Sequence, residues 1–194
     1  MGAALRIAVI GVGNEYRRDD GVGWGVVARL AERAGIQPLP EGTTLAVCDG
    51  DPARMITLWS GVDLALVVDA ARSCPPCPGR VRRMEWNGEQ LSHVGGSTST
   101  HGLGLGDAVE LSRVLARLPR HLVVYAVEAA DTGLGTGLSA PVAAAVEPLA
   151  ERIAQEITLR AAATPEGKRD QNPGRSRWPT EGAPARGRPG THSD

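Results

Sequence analysis

The chain has 194 residues, 42% of them hydrophobic, enough to bury one substantial core, and one domain is the expectation. Its 21 basic and 22 acidic residues leave a formal net charge of -1, which excludes the large field that draws proteins to nucleic acid or anionic membranes. Cys48, Cys74 and Cys77 are too few, and odd in number, for a disulfide framework; with no leader pattern in Met1 to Ala8, the expected location is the cytoplasm.

Leu5 to Ile10 is a nearly continuous apolar run, as a parallel strand buried on both faces requires. It leads into Gly11-Val12-Gly13-Asn14-Glu15-Tyr16-Arg17-Arg18-Asp19-Asp20-Gly21-Val22-Gly23, which reads as a glycine turn and the start of a helix. A dinucleotide fingerprint would need a third glycine where Tyr16 stands and an uncluttered positive helix terminus. Two carboxylates occupy that terminus instead, so the loop reads as a cation site and not a phosphate site.

Apolar residues at helical spacing (Val22, Val26, Val27, Leu30) predict a helix over Val22 to Ala34, stopped at Gly35. A short strand is expected over Thr43 to Cys48, followed by the turn Asp49-Gly50-Asp51-Pro52, a short helix over Ala53 to Trp59, and a second continuous apolar strand, Leu64 to Asp69. Arg80 to Trp86 alternates polar with apolar residues, and the proline-rich loop before it is too short for a crossover helix, so this strand is expected to be an antiparallel edge. Gly88 to Thr100 is polar and irregular, Leu105 to Leu118 amphipathic, His121 to Val127 another strand, and Ala140 to Leu159 a long alanine-rich helix. Together these elements predict an α/β fold, a three-layer α/β/α sandwich around a mostly parallel five-stranded sheet. Residues 1–163 form the expected domain, and the Pro-, Gly- and Arg-rich segment 164–194 is expected to be a disordered tail.

Three metal-ligand types fall where this topology can gather them. Asp20 follows the first strand, Asp69 ends the third, and His101 lies in the loop before the next helix. Parallel strands deliver their carboxyl ends to one sheet edge, where open α/β sheets bind ligands, and the long loop can return over it. The resulting O,O,N face with open positions suits borderline divalent ions, nickel and zinc alike. Taken singly, each residue has an ordinary structural reading: Asp20 a helix-cap acid, Asp69 a turn acceptor, His101 a solvated loop residue. The three together favour a site. His93, His121 and His192 are weaker candidates, Cys74-Pro75-Pro76-Cys77 reads as a coincidental spacing, and Cys48 reads as a core thiol. Neither a Gly-x-Ser-x-Gly elbow nor a His-Glu-x-x-His helix occurs.

Gly11-x-Gly13-Asn14, Asp19-Asp20-Gly21-x-Gly23, Val68-Asp69-Ala70, Thr100-His101-x-x-Gly104-Leu105 and Gly137-Leu138-Ser139 together resemble the hydrogenase maturation endopeptidases over roughly the first 155 residues. Members of that family remove a short C-terminal extension from the [NiFe] hydrogenase large subunit after nickel insertion. The resemblance implies a peptidase with a nickel-recognising site at Asp20, Asp69 and His101, the nickel arriving with the large-subunit precursor, and no organic cofactor. The expected chemistry is either polarisation of the scissile carbonyl by the nickel or activation of water by a carboxylate, with Asp20, Asp69 and Asp49 as the candidate catalytic acids and Gly13, Asn14 and Asp51 as substrate-loop positions. A monomer acting without nucleic acid or membrane is the accompanying expectation. Other readings are a non-catalytic assembly chaperone, a nucleotide-binding regulatory module, or a related α/β peptidase with another substrate. The chain departs from the family pattern at Asp49-Gly50-Asp51-Pro52, where Asp-Gly-Gly-Thr is frequent, and at Tyr16, where an aliphatic residue is usual.

Overall fold

The computed structural model describes residues 4–86 and 105–163. Five strands, β1 (Ile7–Val12), β2 (Thr43–Cys48), β3 (Leu64–Ala71), β4 (Val81–Trp86) and β5 (His121–Glu128), form one sheet in the order β2-β1-β3-β5-β4. Four helices, α1 (Val22–Ala34), α2 (Pro52–Trp59), α3 (Leu105–Val114) and α4 (Ala140–Ala163), accompany them. β1 pairs in parallel with β2 and β3, and β3 with β5, whereas β4 runs antiparallel to β5 at the edge, as its alternating sequence and short connection predict.

Strand alternation divides the core into two layers. Ile7 and Val9 of β1, Leu64, Leu66 and Val68 of β3, and Val123, Tyr125 and Val127 of β5 pack with α1 and α4. Ala8, Ile10 and Val12, with Ala65, Val67, Leu122 and Val124, face the opposite way onto α2 and α3. Both faces of the central strands are therefore covered, which is why β1 and β3 are buried along their whole length. The expected stripe Val22, Val26, Val27 and Leu30 is the buried face of α1.

From β1 the chain crosses to β2 on one side, then returns past β1 to place β3 on the other. The sheet order reverses at β1 and β3, and their carboxyl ends open the crevice where such sheets bind ligands. Boundaries shift modestly from expectation. β1 starts and ends two residues later, β3 runs two residues past Asp69, β5 includes Glu128, α2 includes Pro52, α3 stops at Val114, and α4 continues to Ala163. These ends are set by sheet pairing and by packing on neighbours, which local periodicity does not encode. Among the described residues no helix is long and apolar enough to cross a membrane. His93, His101, His192, the Gly88 to Thr100 segment and the tail 164–194 lie outside the described residues.

Candidate active site

The glycine loop is shaped by close backbone contact. A Cβ on Gly23 would lie 2.5 Å from the carbonyl oxygens of both Val12 and Val68, and one on Gly11 would lie 2.2 Å from the Gly23 oxygen. Glycine at these positions lets the first turn of α1 rest directly on β1 and β3. Gly13, with φ of 135°, adopts a conformation that side chains disfavour, and a Cβ there would lie 1.8 Å from the Asp20 carbonyl oxygen. The short 3-10 turn Arg18–Gly21 is thereby seated on the end of β1, and Asp20, 1% exposed, is buried beside the sheet.

Asp69 reaches the same edge from β3. The last β1–β3 pair is Gly11 with Val68, so Asp69 stands level with Val12, whose partner on β2 is Cys48. Alternation puts Asp69 on the sheet face covered by α2 and α3, where it is 4% exposed. The negative charges of Asp69 and Asp49 both reach the Cys48 thiol. Burial first, and then these carboxylates, push that thiol's pKa upward against a hydrogen bond from the Gly50 backbone. Cys48 is thus the core thiol expected, though one placed directly under the candidate site.

The adjacent carboxylates Asp19 and Asp20, grouped by the sequence as one cation-attracting pair, divide in the structure. Asp19 is fully enclosed and accepts four hydrogen bonds: from the Ala130 N–H at 2.8 Å, the Asp131 N–H at 2.9 Å, the Ser139 N–H at 2.6 Å and the Ser139 hydroxyl at 2.9 Å. Burial opposes its ionisation, but these donors outweigh it and hold the carboxyl below its ordinary pKa. Asp19 ties the loop after β5 to the glycine loop and also faces the N-terminus of α4, where an anion is favoured. Of the two acids in the Arg18–Gly21 turn, Asp19 is thus the one that these donors of the loop after β5 engage.

The other sequence-derived positions have definite local places. Asn14 closes a turn, its side-chain oxygen accepting the Tyr16 N–H at 2.9 Å. Asp51 caps α2, accepting the Arg54 N–H at 2.7 Å, with Pro52 in the first helical position. Asp49 lies exposed in the turn between β2 and that cap, and accepts the Asp51 N–H at 3.4 Å. Asp20 and Asp69 are thus buried at the carboxyl edge, Asp49 is exposed in the turn after β2, and Gly13, Asn14 and Asp51 shape the turns there. Among the described residues no three His, Cys, Asp or Glu side chains gather into a metal cage. The third predicted ligand, His101, lies outside the described residues.

Sequence reasoning missed two anchors at this edge. Thr132, 4% exposed, accepts at its carbonyl from Arg17 Nε and Nη2 and at its hydroxyl from Arg72, linking the ends of β1, β3 and β5. Glu128, 2% exposed, accepts from the Cys77 N–H at 2.8 Å and Arg80 Nε at 2.7 Å and pairs with Arg82 at 3.0 Å. Burial raises its pKa, but Ser73, Arg80 and Cys77 outweigh that and bring it to about 2. The only sequence signal was the polar Asp131-Thr132-Gly133 turn, since the partners are more than 45 residues distant in sequence.

A family model described as hydrogenase maturation protease, HycI, matches residues 26–156, which span β2, Asp49, Asp69, β5 and most of α4. The chain belongs to the hydrogenase maturation protease family. It is accordingly a peptidase. Among solved structures it is similar to the [NiFe] hydrogenase maturation protease HybD from Thermococcus kodakarensis, with 26% identity and a TM-score of 0.61 over 79% of this chain and 99% of the other. It shares the fold of the hydrogenase maturating endopeptidase HybD from E. coli, with 24% identity and a TM-score of 0.62 over 82% of this chain and 94% of the other. The HycI maturation protease from Thermococcus kodakarensis gives 24% identity and a TM-score of 0.59 over 80% and 94%. No curated protein sequence gives a significant match. The family match begins after the glycine loop, so Gly13, Asn14 and Asp20 rest on the geometry described above and not on that match.

Proposed function

We propose that this protease removes the C-terminal extension of a [NiFe] hydrogenase large-subunit precursor after nickel insertion, and that it recognises the nickel the precursor carries. The observation that carries this reading is the burial of Asp20 and Asp69, at 1% and 4% exposure, on adjacent strand ends of a hydrogenase maturation protease. Two acids brought to adjacent strand ends concentrate negative charge at one edge of the sheet, which attracts a divalent cation entering with the substrate. Oxygen donors from Asp20 and Asp69 with the His101 imidazole make a donor set that suits nickel and leaves positions for ligands supplied by the precursor.

Hydrolysis adds the oxygen of water to the scissile carbonyl carbon, breaks the C–N bond and delivers a proton to the leaving amine. In this reading Asp20 and Asp69 orient the loaded precursor, and the exposed Asp49 accepts the proton from the attacking water. Specificity for loaded precursor follows, because only the loaded precursor brings the cation that these two carboxylates recognise in this reading. A monomer acting in the cytoplasm, without an organic cofactor, belongs to the same reading.

The test is to incubate the protein with nickel-loaded and nickel-free precursor and to weigh the products intact. Loss of a C-terminal peptide from the loaded precursor alone is the expected result. A loaded precursor that binds but stays intact overturns the proteolytic role in favour of an assembly chaperone. If His101→Ala and Asp20→Asn variants process loaded precursor at the wild-type rate, the proposed nickel recognition fails.

A further inference from the structure

Most exposed large apolar side chains of the described residues lie away from the site: Ile36 follows α1, Leu111, Val114 and Leu115 lie at the end of α3, and Leu159 lies near the end of α4. Two do not. Tyr16 is 64% exposed and Leu134 84% exposed, and both stand on loops at the carboxyl edge of the sheet. Tyr16 is four residues before Asp20 in the same loop. Leu134 belongs to the loop that Asp19 ties down.

These loops are fixed to each other. The Gly135 N–H donates to the Tyr16 carbonyl at 2.9 Å, the Arg18 N–H donates to the Gly135 carbonyl at 2.9 Å, and the Asp19 N–H donates to the Asp131 carbonyl at 3.0 Å. Arg18 has φ of 50°, a left-handed conformation unusual for a residue with a side chain. In that conformation its Nε donates to the Leu134 carbonyl at 3.3 Å and lies 3.2 Å from an Asp131 carboxylate oxygen. With the Leu134 carbonyl engaged, the group this residue offers outward is its side chain. Tyr16 and Leu134 are thus large apolar groups held in water on a backbone already ordered, which is how a binding surface lowers the entropy cost of docking.

We propose that Tyr16 and Leu134 form an apolar rim that grips an apolar side chain of the hydrogenase precursor beside the scissile bond, and so set which precursors this protease processes. The inference rests on the proposed function, since the occupant is the chain that must reach Asp20 and Asp69. The rim is continuous with that site through one loop and through the Asp19 cage, so a segment entering from this side crosses it. Tyrosine is suited to the role because it supplies wide contact area with few rotatable bonds. As a contact surface, the rim acts on binding and not on the bond-breaking step.

The experiment compares wild-type protein with Tyr16→Ser, Leu134→Ser and the double variant in cleaving nickel-loaded precursor, followed by intact mass. The double variant is expected to raise KM by about tenfold or more, with kcat within about twofold of wild type. Its thermal midpoint should match wild type because both side chains are exposed, and a Tyr16→Phe/Leu134→Met variant should recover the wild-type KM. A wild-type KM in the double variant, or a fall in kcat alone, overturns the rim while leaving the proposed function standing. If the double variant instead converts a wild-type dimer to monomer at unchanged KM, the occupant is a second copy and the proposal fails. Wild-type protein that neither binds nor cleaves loaded precursor overturns the proposed function and the rim with it.

Discussion

The two edges of this sheet handle charge in opposite ways. At the amino edge Arg6 and Asp63 meet at 3.5 Å with side chains 64% and 25% exposed, beside an open cleft of about 630 Å³ that also takes in Arg117 and Arg120. At the carboxyl edge Asp19, Asp20, Asp69, Glu128 and Thr132 are all buried, and Ser112, bonded to Trp59 Nε1 at 2.9 Å, is the one other buried polar residue among those described. Water solvates the first edge and makes its ion pair worth little. The second edge withdraws acids from water, and each must be compensated by the protein or by what it binds. Asp19 and Glu128 are compensated internally, by N–H donors and by arginines. Asp20 and Asp69 are the pair the proposed function assigns to the substrate's cation.

The sharpest test of that division is to remove one carboxylate at a time. Asp20→Asn or Asp69→Asn should lower processing of loaded precursor by a factor of about 10² or more, the range expected when the reacting bond is no longer held in place. Urea denaturation should show either variant folded, since the near-isosteric amide keeps the packing. A wild-type rate in both would place the chemistry elsewhere.

Asp19→Ala should do the reverse. It leaves four donors without their acceptor in a closed site, and a loss of about 3 to 4 kcal/mol in unfolding free energy is expected. The thermal midpoint falls with it, and any loss of activity should track the unfolded fraction. An Asp19→Ala protein as stable as wild type would remove the cage from the account.

Acid should destabilise the fold through the internally compensated carboxylates, which hold their charge to low pH in the folded state. Glu128 is depressed from an ordinary 4.5 to about 2, and Asp19 is lowered from 3.8. A folded-state pKa below the unfolded value means that the stabilisation is fully present above the unfolded pKa and is lost as pH falls through the folded one. For Glu128 that window runs from about pH 4.5 down to about 2. Urea midpoints measured across it should fall with pH, and Glu128→Gln should flatten the slope. The smallest effect belongs to the amino edge, where Arg6→Ala should change stability by under about 1 kcal/mol, read from the same urea curves.

Much of the edge was legible in the sequence, and the reason differs from residue to residue. Continuous apolar runs identified β1 and β3 as buried parallel strands, and strand direction then put Asp20 and Asp69 at one edge. The alternation in Arg80 to Trp86 foretold an antiparallel edge strand, now β4 on β5. The family motifs point to a maturation protease, and the family match agrees. The different uses of Asp19 and Asp20 were not legible. Two neighbouring aspartates look alike in a sequence, and what separates them is a loop more than 110 residues away that spends its N–H groups on only one. Thr132 and Glu128 were hidden for the same reason.

Local chemistry by itself determined the elements, the layer architecture and the acids at the end of each strand, because hydrophobic period and glycine placement act over a few residues. It also determined that the glycine loop would hold acids where a phosphate loop holds none. Tertiary structure decided how Asp19 and Glu128 are engaged, why Gly11, Gly13 and Gly23 must lack side chains, and that the loops carrying Tyr16 and Leu134 are bonded to each other. Those outcomes depend on hydrogen bonds and close contacts between segments far apart in the chain. Such contacts exist only after the sheet has brought β1, β3 and β5 side by side.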